Sequence, residues 1–228
     1  VHHRIWFITG SDTGVGKTVL TCLLARWLRH RGFRVAALKP LCSGGRGDAR
    51  QLFAALDATL PLDAINPWHF RAPLAPLLAA RREKRRVRAA EVIAHIRQVA
   101  RRFDITLVEG AGGLLSPMGE GFDSRDLIIA LRARALIVCP NRLGAVNQAR
   151  LVWEALPKTL ARTAHVVLVE PRRASDASQT NPALLMEFLG TERIHVIPWL
   201  SPSGAAVHAS QSQPVRHALA RIKSALGA

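Results

Sequence analysis

Between residues 5 and 32 a strand-length apolar run, a glycine-rich loop and a helical pattern follow one another without a gap, and that order constrains the chain most. Ile5-Trp6-Phe7-Ile8-Thr9 reads as a strand closed by Gly10. From Lys17 to His30 the apolar residues Val19, Leu20, Leu23, Leu24, Trp27 and Leu28 recur at helical spacing, and Gly32 supplies the stop. Between them lies Gly10-Ser11-Asp12-Thr13-Gly14-Val15-Gly16-Lys17-Thr18. Glycines let such a loop curl so that its N–H groups point inward at phosphate oxygens, and the following helix adds the positive end of its dipole. Lys17 would bridge the β- and γ-phosphates, and the Thr18 hydroxyl would complete a magnesium shell. The usual G-x-x-x-x-G-K-[ST] spacing puts its first glycine at position 11, where this chain has Ser11; Gly10 lies one residue earlier. A glycine-rich helix start with an incidental Lys-Thr would need neither the strand before nor the helix after. The segment therefore reads as a nucleoside triphosphate site.

Strand-length runs and helical patterns keep alternating downstream. Val35–Leu38, Ile105–Val108, Ala135–Cys139, Val166–Val169 and His195–Ile197 read as strands. Helices are expected over Asp48–Leu56, Ala89–Arg102, Asp123–Arg132, Ala145–Leu160, Pro182–Leu189 and Pro214–Leu226, with a Pro-containing stretch from Pro61 to Pro76. In the helix from Ala89, Val92, Ile93, Ile96 and Val99 share one side. Such alternation predicts a P-loop NTPase-type three-layer α/β/α fold with a mostly parallel sheet, in one domain spanning residues 1–228. Ligands in that architecture sit at the carboxyl ends of the strands, where every polar or glycine-rich cluster of this chain falls.

Composition narrows the function classes. No stretch approaches the ~20 apolar residues that span a bilayer, and the start of the chain lacks the hydrophobic length and cleavage site of a signal peptide, so a cytoplasmic protein is expected. Cys22, Cys42 and Cys139 are too few and too scattered for a disulfide framework or a zinc site, and the nine histidines lack metal-ligand spacing. The net charge of +16 comes from 32 basic residues, 27 of them Arg, spread along the chain rather than gathered into a stripe. The densest tract, Arg81 to Arg88, reads as a solvated surface element, so neither nucleic acid nor membrane is expected as a partner. A positive surface attracts anionic, phosphorylated substrates in any case.

Three further clusters fall at strand ends. Lys39-Pro40-Leu41-Cys42-Ser43-Gly44 follows the second strand; if sequential strands are neighbours, Lys39 lies beside the phosphate loop, although a solvated lysine before a turn would give the same sequence. Asp48 is either a helix N-cap or a hard oxygen ligand for magnesium. Glu109 ends an apolar strand and runs into Gly110-Ala111-Gly112-Gly113, bare backbone that a ligand can approach closely. A tight turn alone would not need that carboxylate. Asn141-Arg142-Leu143-Gly144-Ala145-Val146-Asn147, taken alone, is a loop and a helix cap, and Cys42 and Cys139 have no partner that would make them nucleophiles.

Together these segments resemble the dethiobiotin synthetase family. The resemblance rests on Thr9 to Thr18, Lys39 to Gly44, Val108 to Gly113, Leu143 to Asn147 and Ile197-Pro198-Trp199-Leu200, in the family's order over nearly the whole chain. The displaced first glycine also occurs in that family. The resemblance implies a homodimer that closes a cyclic urea on 7,8-diaminopelargonate with CO2 and MgATP. The route passes through a carbamate and a carbamic–phosphoric anhydride. It implies that Lys39 holds the carbamate, Lys17 stabilises the transferring phosphoryl group, and Thr13 reaches the phosphates or the carbamate. Thr18, Asp48 and Glu109 would surround magnesium. Gly14, Val15, Gly16, Val19, Gly110, Ala111, Gly112, Glu170 and Pro198 would complete the nucleotide site. Ser43 would seat the substrate, and Gly144, Ala145, Val146 and Asn147 would bind its distant carboxylate from the partner subunit. Two positions depart from the family pattern: Glu170-Pro171 stands where the family often has Asn-Asp, and Ser203, Gly204 and Ala205 stand where it has a glutamate. Both concern the base and ribose end rather than the reacting phosphate. Partner-dependent ATPases of the ParA/MinD type share the phosphate loop but carry an Asp-containing switch where this chain has Glu109-Gly110-Ala111; a same-fold ligase acting on another amine or acid is the third reading.

Overall fold

The computed structural model describes residues 4–200 and 212–225. Six strands form one parallel sheet in the order β2-β5-β1-β6-β7-β8. They are β1 (Arg4–Gly10), β2 (Val35–Leu38), β5 (Ile105–Glu109), β6 (Arg134–Pro140), β7 (His165–Val169) and β8 (Ile194–Ile197). β2 and β5 are buried along their whole length, and β1, β6, β7 and β8 nearly so. Near-continuous Val/Ile/Leu runs are what a sheet covered on both faces requires. Helices α1 (Lys17–Arg29), α2 (Gly47–Ala55), α5 (Ala89–Ala100), α6 (Ser124–Leu131), α7 (Ala145–Ala155), α9 (Asp176–Leu189) and α10 (Gln213–Ala225) connect or flank the strands. The expected three-layer fold is present. Leu226, expected at the end of the last helix, lies outside the described residues.

β1 is central, with β5 on one side and β6 on the other. The chain leaves β1 toward β2 and later returns to fill the opposite flank, so the end of β1 is the point where the winding reverses. A crevice opens at such a point beyond the carboxyl ends of the strands. The phosphate loop, the end of β5 and the end of β2 all lie on that edge.

Four expectations need correction. β2 does not neighbour β1; β5 lies between them, so Lys39 reaches the loop across the end of β5 rather than from an adjacent strand. The segment after β2 contains a second, two-stranded parallel sheet, β3 (Leu41–Ser43) with β4 (Trp68–Phe70). The stretch from Pro61 to Pro76 accordingly holds α3 (Leu62–Ile65) and β4, and ends where α4 (Pro76–Arg82) begins. The helix expected to run to Leu160 stops at Ala155, because Pro157 has no N–H to continue the ladder; a short α8 (Lys158–Ala161) follows it.

Proline acts differently in α9, which starts at Asp176 under a Ser175 cap and continues through Pro182. Proline leaves the carbonyl four residues back without its helical donor. That carbonyl is Ser178 O, and Asn141 Nδ2 donates to it at 2.8 Å. A side chain from the end of β6 thus replaces the missing bond and ties α9 to the ligand edge of the sheet. The basic tract is also less uniformly solvated than expected. Arg81 pairs with Glu120, Arg85 lies over the Phe70 ring, and Val87 is buried.

Candidate active site

The phosphate loop is shaped by close approach. Ser11 N donates to Val138 O at 3.0 Å, which pins the start of the loop to β6. A Cβ at position 10 would sit 2.7 Å from Val15 Cγ2 and 3.1 Å from Val138 O. No side chain fits there, and this is the physical reason the first glycine sits at 10 rather than 11. Gly16, the N-cap of α1, has φ near 101°, a conformation that favours glycine. Lys17 is buried, and its Nζ donates to Asp12 O at 2.6 Å, so the ammonium is folded across the loop. Burial, and then the charge of Lys39, bring its pKa down to about 8 despite the acidic side chains nearby.

Lys39 is 4% exposed, which overturns the solvated reading. Its Nζ lies 2.7 Å from Glu109 Oε1 and 3.1 Å from Asp48 Oδ2, and donates to Gly110 O at 2.9 Å. Burial alone would strip the proton from this amine, but the two carboxylates outweigh it and hold the pKa above the ordinary lysine value. The site therefore keeps a permanent buried cation. Asp48 lies in the first turn of α2, whose N-cap is Arg46, so Asp48 is not the cap but the half-exposed partner of Lys39. Thr18 Oγ1 donates to the same Glu109 Oε1 at 2.8 Å, which joins the helix end of the loop to the strand end of β5.

A cavity of about 770 Å3 connects these groups. Thr13, Gly14, Gly16, Lys17, Thr18, Val19, Lys39, Ser43, Asp48, Glu109, Ala111 and Gly112 all line it. Its outer wall is the small β3–β4 sheet and the Pro73–Pro76 turn that follows it. Ser43 Oγ donates to Leu74 O at 2.5 Å, so the hydroxyl faces the cavity as an acceptor while fastening that wall. Cys42 also lines the cavity, and burial pushes its thiol up to about 11, the protonated and unreactive form.

Other expected residues fall outside this cavity. Gly110 contributes only its carbonyl, to Lys39. Val15 and Glu170 line a smaller cavity of about 180 Å3 at the ends of β6 and β7. Pro198 follows β8 and lines neither. Gly144, Ala145, Val146 and Asn147 form the start of α7 and also line neither, so within one chain they are not brought to Lys39. Ser203, Gly204 and Ala205 lie outside the described residues.

The donor set fits a hard cation in part. Glu109 Oε2 is buried without a hydrogen-bond partner, and Asp48 and the Thr18 hydroxyl add oxygens on the same wall. No group of three or more His, Cys, Asp or Glu that could hold a metal by itself occurs among the described residues. These oxygens suit an ion that takes its remaining ligands from phosphates and water.

The residues that hold Lys39 in place were not visible as site residues. Asn66, fully buried, donates through Nδ2 to Lys39 O at 2.7 Å, and Lys39 N donates to Ile65 O at 3.0 Å. Arg46 bonds Asn66 Oδ1, Leu62 O and Asn66 O from the start of α2. One polar clasp therefore fixes both the strand end carrying Lys39 and the helix carrying Asp48. The only local signal was the Asn66-Pro67 pair, which reads as a turn.

A family model described as an AAA domain matches residues 4–207. The chain is 41% identical over 198 residues to the ATP-dependent dethiobiotin synthetase BioD of Anaeromyxobacter sp. (strain K), covering 85% of this chain and 89% of that one. It is 35% identical over 202 residues to the enzyme of the same name from Bacillus licheniformis, covering 86% of each. Among solved structures it is similar to the MinD cell division protein of Aquifex aeolicus, with a TM-score of 0.61, 18% identity, and coverage of 99% of this chain and 98% of that one. A ParA family ATPase from Chlorobium tepidum gives a TM-score of 0.61 at 14% identity, covering 99% and 100%. At such identities the likeness to MinD and ParA shows the fold alone.

Proposed function

This chain belongs to the ATP-dependent dethiobiotin synthetase family, and from that premise we propose how its residues divide the work of closing the ureido ring on 7,8-diaminopelargonate. The overall reaction is an ATP-dependent ligation that forms carbon–nitrogen bonds. The N7 amine of the diamine takes up CO2 and becomes a carbamate. A carbamate oxygen attacks the γ-phosphorus, ADP leaves, and a carbamic–phosphoric anhydride remains. The N8 amine then attacks the anhydride carbonyl, and phosphate departs as the ring closes.

Each step passes through oxyanions, so fixed positive charge in a dry pocket is what the chemistry needs. Lys39 supplies it at the carbamate, and its pairing with Glu109 and Asp48 keeps it charged at working pH. Lys17 neutralises the phosphoryl group in flight, and the loop N–H groups with Thr13 hold the phosphates. Thr18, Asp48 and Glu109 would hold magnesium, which when bound shields the phosphate charges. Ser43 and the bare backbone at Gly112 border the space for the diamine. Because Gly144 to Asn147 stand apart from their own chain's cavity, we assign them to the substrate carboxylate of a second subunit, in a homodimer of cytoplasmic single-domain protomers.

The observation that carries this reading is one buried cation, Lys39, sharing a cavity with the phosphate-loop lysine. A ParA/MinD-like partner-driven ATPase is not favoured. Purified protein supplied with diaminopelargonate, bicarbonate and MgATP should release phosphate and form the cyclic urea in equal amounts. ATP turnover without urea, or turnover stimulated only by DNA or lipid, contradicts the reading.

A further inference from the structure

The smaller cavity lies on the far flank of β1 from Lys39, yet both cavities are lined by Gly14 and Gly16. A nucleotide whose phosphates occupy the loop therefore has two directions in which to send its base. The Lys39 side is taken by the diamine under the reading above. The other side, about 180 Å3, is several times the ~30 Å3 share of one liquid water molecule and can take a ring system. Val169, Pro171 and the glycine backbone give it mostly apolar walls.

Its polar groups are nearly all committed. Asn141 Nδ2 donates to Glu170 Oε1 at 2.9 Å and to Ser178 O at 2.8 Å, while Asn141 Oδ1 accepts from Asn181 Nδ2 at 2.9 Å. Arg142 O accepts from the same Asn181 amide at 3.0 Å. Asn141 therefore has no donor left for a base. What remains is the Glu170 carboxylate, fixed by Asn141 through one oxygen, with no bond to its second oxygen among the described residues. A carboxylate only accepts.

An acceptor-only edge discriminates among bases by counting donors. Guanine presents a ring N–H and an amine side by side, two donors that match the two lone-pair directions of a carboxylate. Adenine and cytosine each set one amine beside a ring nitrogen that is itself an acceptor. Uracil sets its ring N–H between two carbonyls. We propose that Glu170 makes this cavity a base site that selects the donor edge of guanine, so that GTP serves as phosphoryl donor at least as well as ATP. The inference rests on the dethiobiotin synthetase reading for the direction of the diamine, but its test does not depend on urea chemistry.

Calorimetric titration of the wild-type protein with ADP, GDP, CDP and UDP, repeated on Glu170→Gln, reads the base preference directly. GDP should bind at least as tightly as ADP, with UDP the weakest. Glutamine replaces one acceptor with a donor and suits adenine, so the GDP-to-ADP affinity ratio should fall by about tenfold or more in the variant. Tighter binding of ADP by the wild-type protein overturns the proposal, as does a smaller change of ratio in Glu170→Gln. Should that variant not fold, the wild-type ratio alone decides. Failure to make urea with any triphosphate would count against the catalytic reading instead and would leave the binding ratio to judge Glu170.

Discussion

Lys39 and Glu109 are each buried because the other is. Removing either one leaves an uncompensated charge in the interior, an error worth several kcal/mol, about 3–5 in comparable sites. Glu109 has two duties, since one oxygen serves Lys39 and Thr18 while the other is buried without a partner. Glu109→Gln should therefore raise the magnesium concentration for half-maximal activity by at least about tenfold. A magnesium titration with an unchanged midpoint would show that the second oxygen has no metal role. Lys17 carries a second prediction, because its pKa of about 8 lies well below the ordinary lysine value. It is charged below that pH and loses its proton above it. kcat/KM for ATP should accordingly fall as pH rises through about 8. The fall in kcat should come at higher pH, because bound phosphates favour the charged amine. Lys17, Thr18 and Glu109 were legible as sequence because each is anchored to a strand end by a short motif. The Asn66–Arg46 clasp was not, since its members are drawn together only by the packing of α2 and α3.

The strands and long helices follow the apolar periodicity closely, and the departures have local causes. β3 and β4 are three residues each, too short for alternation to register, and they gain their partners only by folding across a proline-rich stretch. α9 begins earlier than expected because the Asn141 amide satisfies the carbonyl that Pro182 leaves open. At the first residue of β7, away from the ligand edge, His165 Nδ1 lies 2.9 Å from His195 Nε2 of β8 inside the core. One nitrogen must donate and the other accept, so the pair requires at least one unprotonated ring nitrogen. Burial lowers His165 to about 3, helped by the charges of His195 and nearby arginines, and lowers His195 to about 4. Below the ordinary value of 6.5 the unfolded chain takes up protons that the folded chain refuses, so stability is lost as pH falls from 6.5 toward 4. The loss should reach about 2–4 kcal/mol near pH 4.5 in denaturant unfolding. A His165→Leu/His195→Leu double variant should show a flatter profile over that window; an equal slope in both proteins would remove the pair as the cause.

Across the whole molecule, the order of strands converts separate motifs into one site. β5 between β1 and β2 brings Glu109 between Thr18 and Lys39, a juxtaposition that the expected neighbouring of β1 and β2 did not foresee. Gly144 to Asn147 remain outside their own cavity, which gives the two-subunit site a direct check. Lys39→Ala and Asn147→Asp should each be inactive alone at limiting diamine. Mixed and allowed to exchange subunits, they should regain about a quarter of wild-type activity, because half the dimers are mixed and each carries one intact site. No recovery despite proven exchange would place the carboxylate contact within one chain. The claim that joins all three scales is that a buried ammonium beyond β2 faces the transferring phosphate across the diamine. Urea formation by Lys39→Ala, measured beside its affinity for MgATP, tests it most directly. The account predicts that urea disappears while nucleotide binding persists, and normal urea turnover by that variant would contradict it.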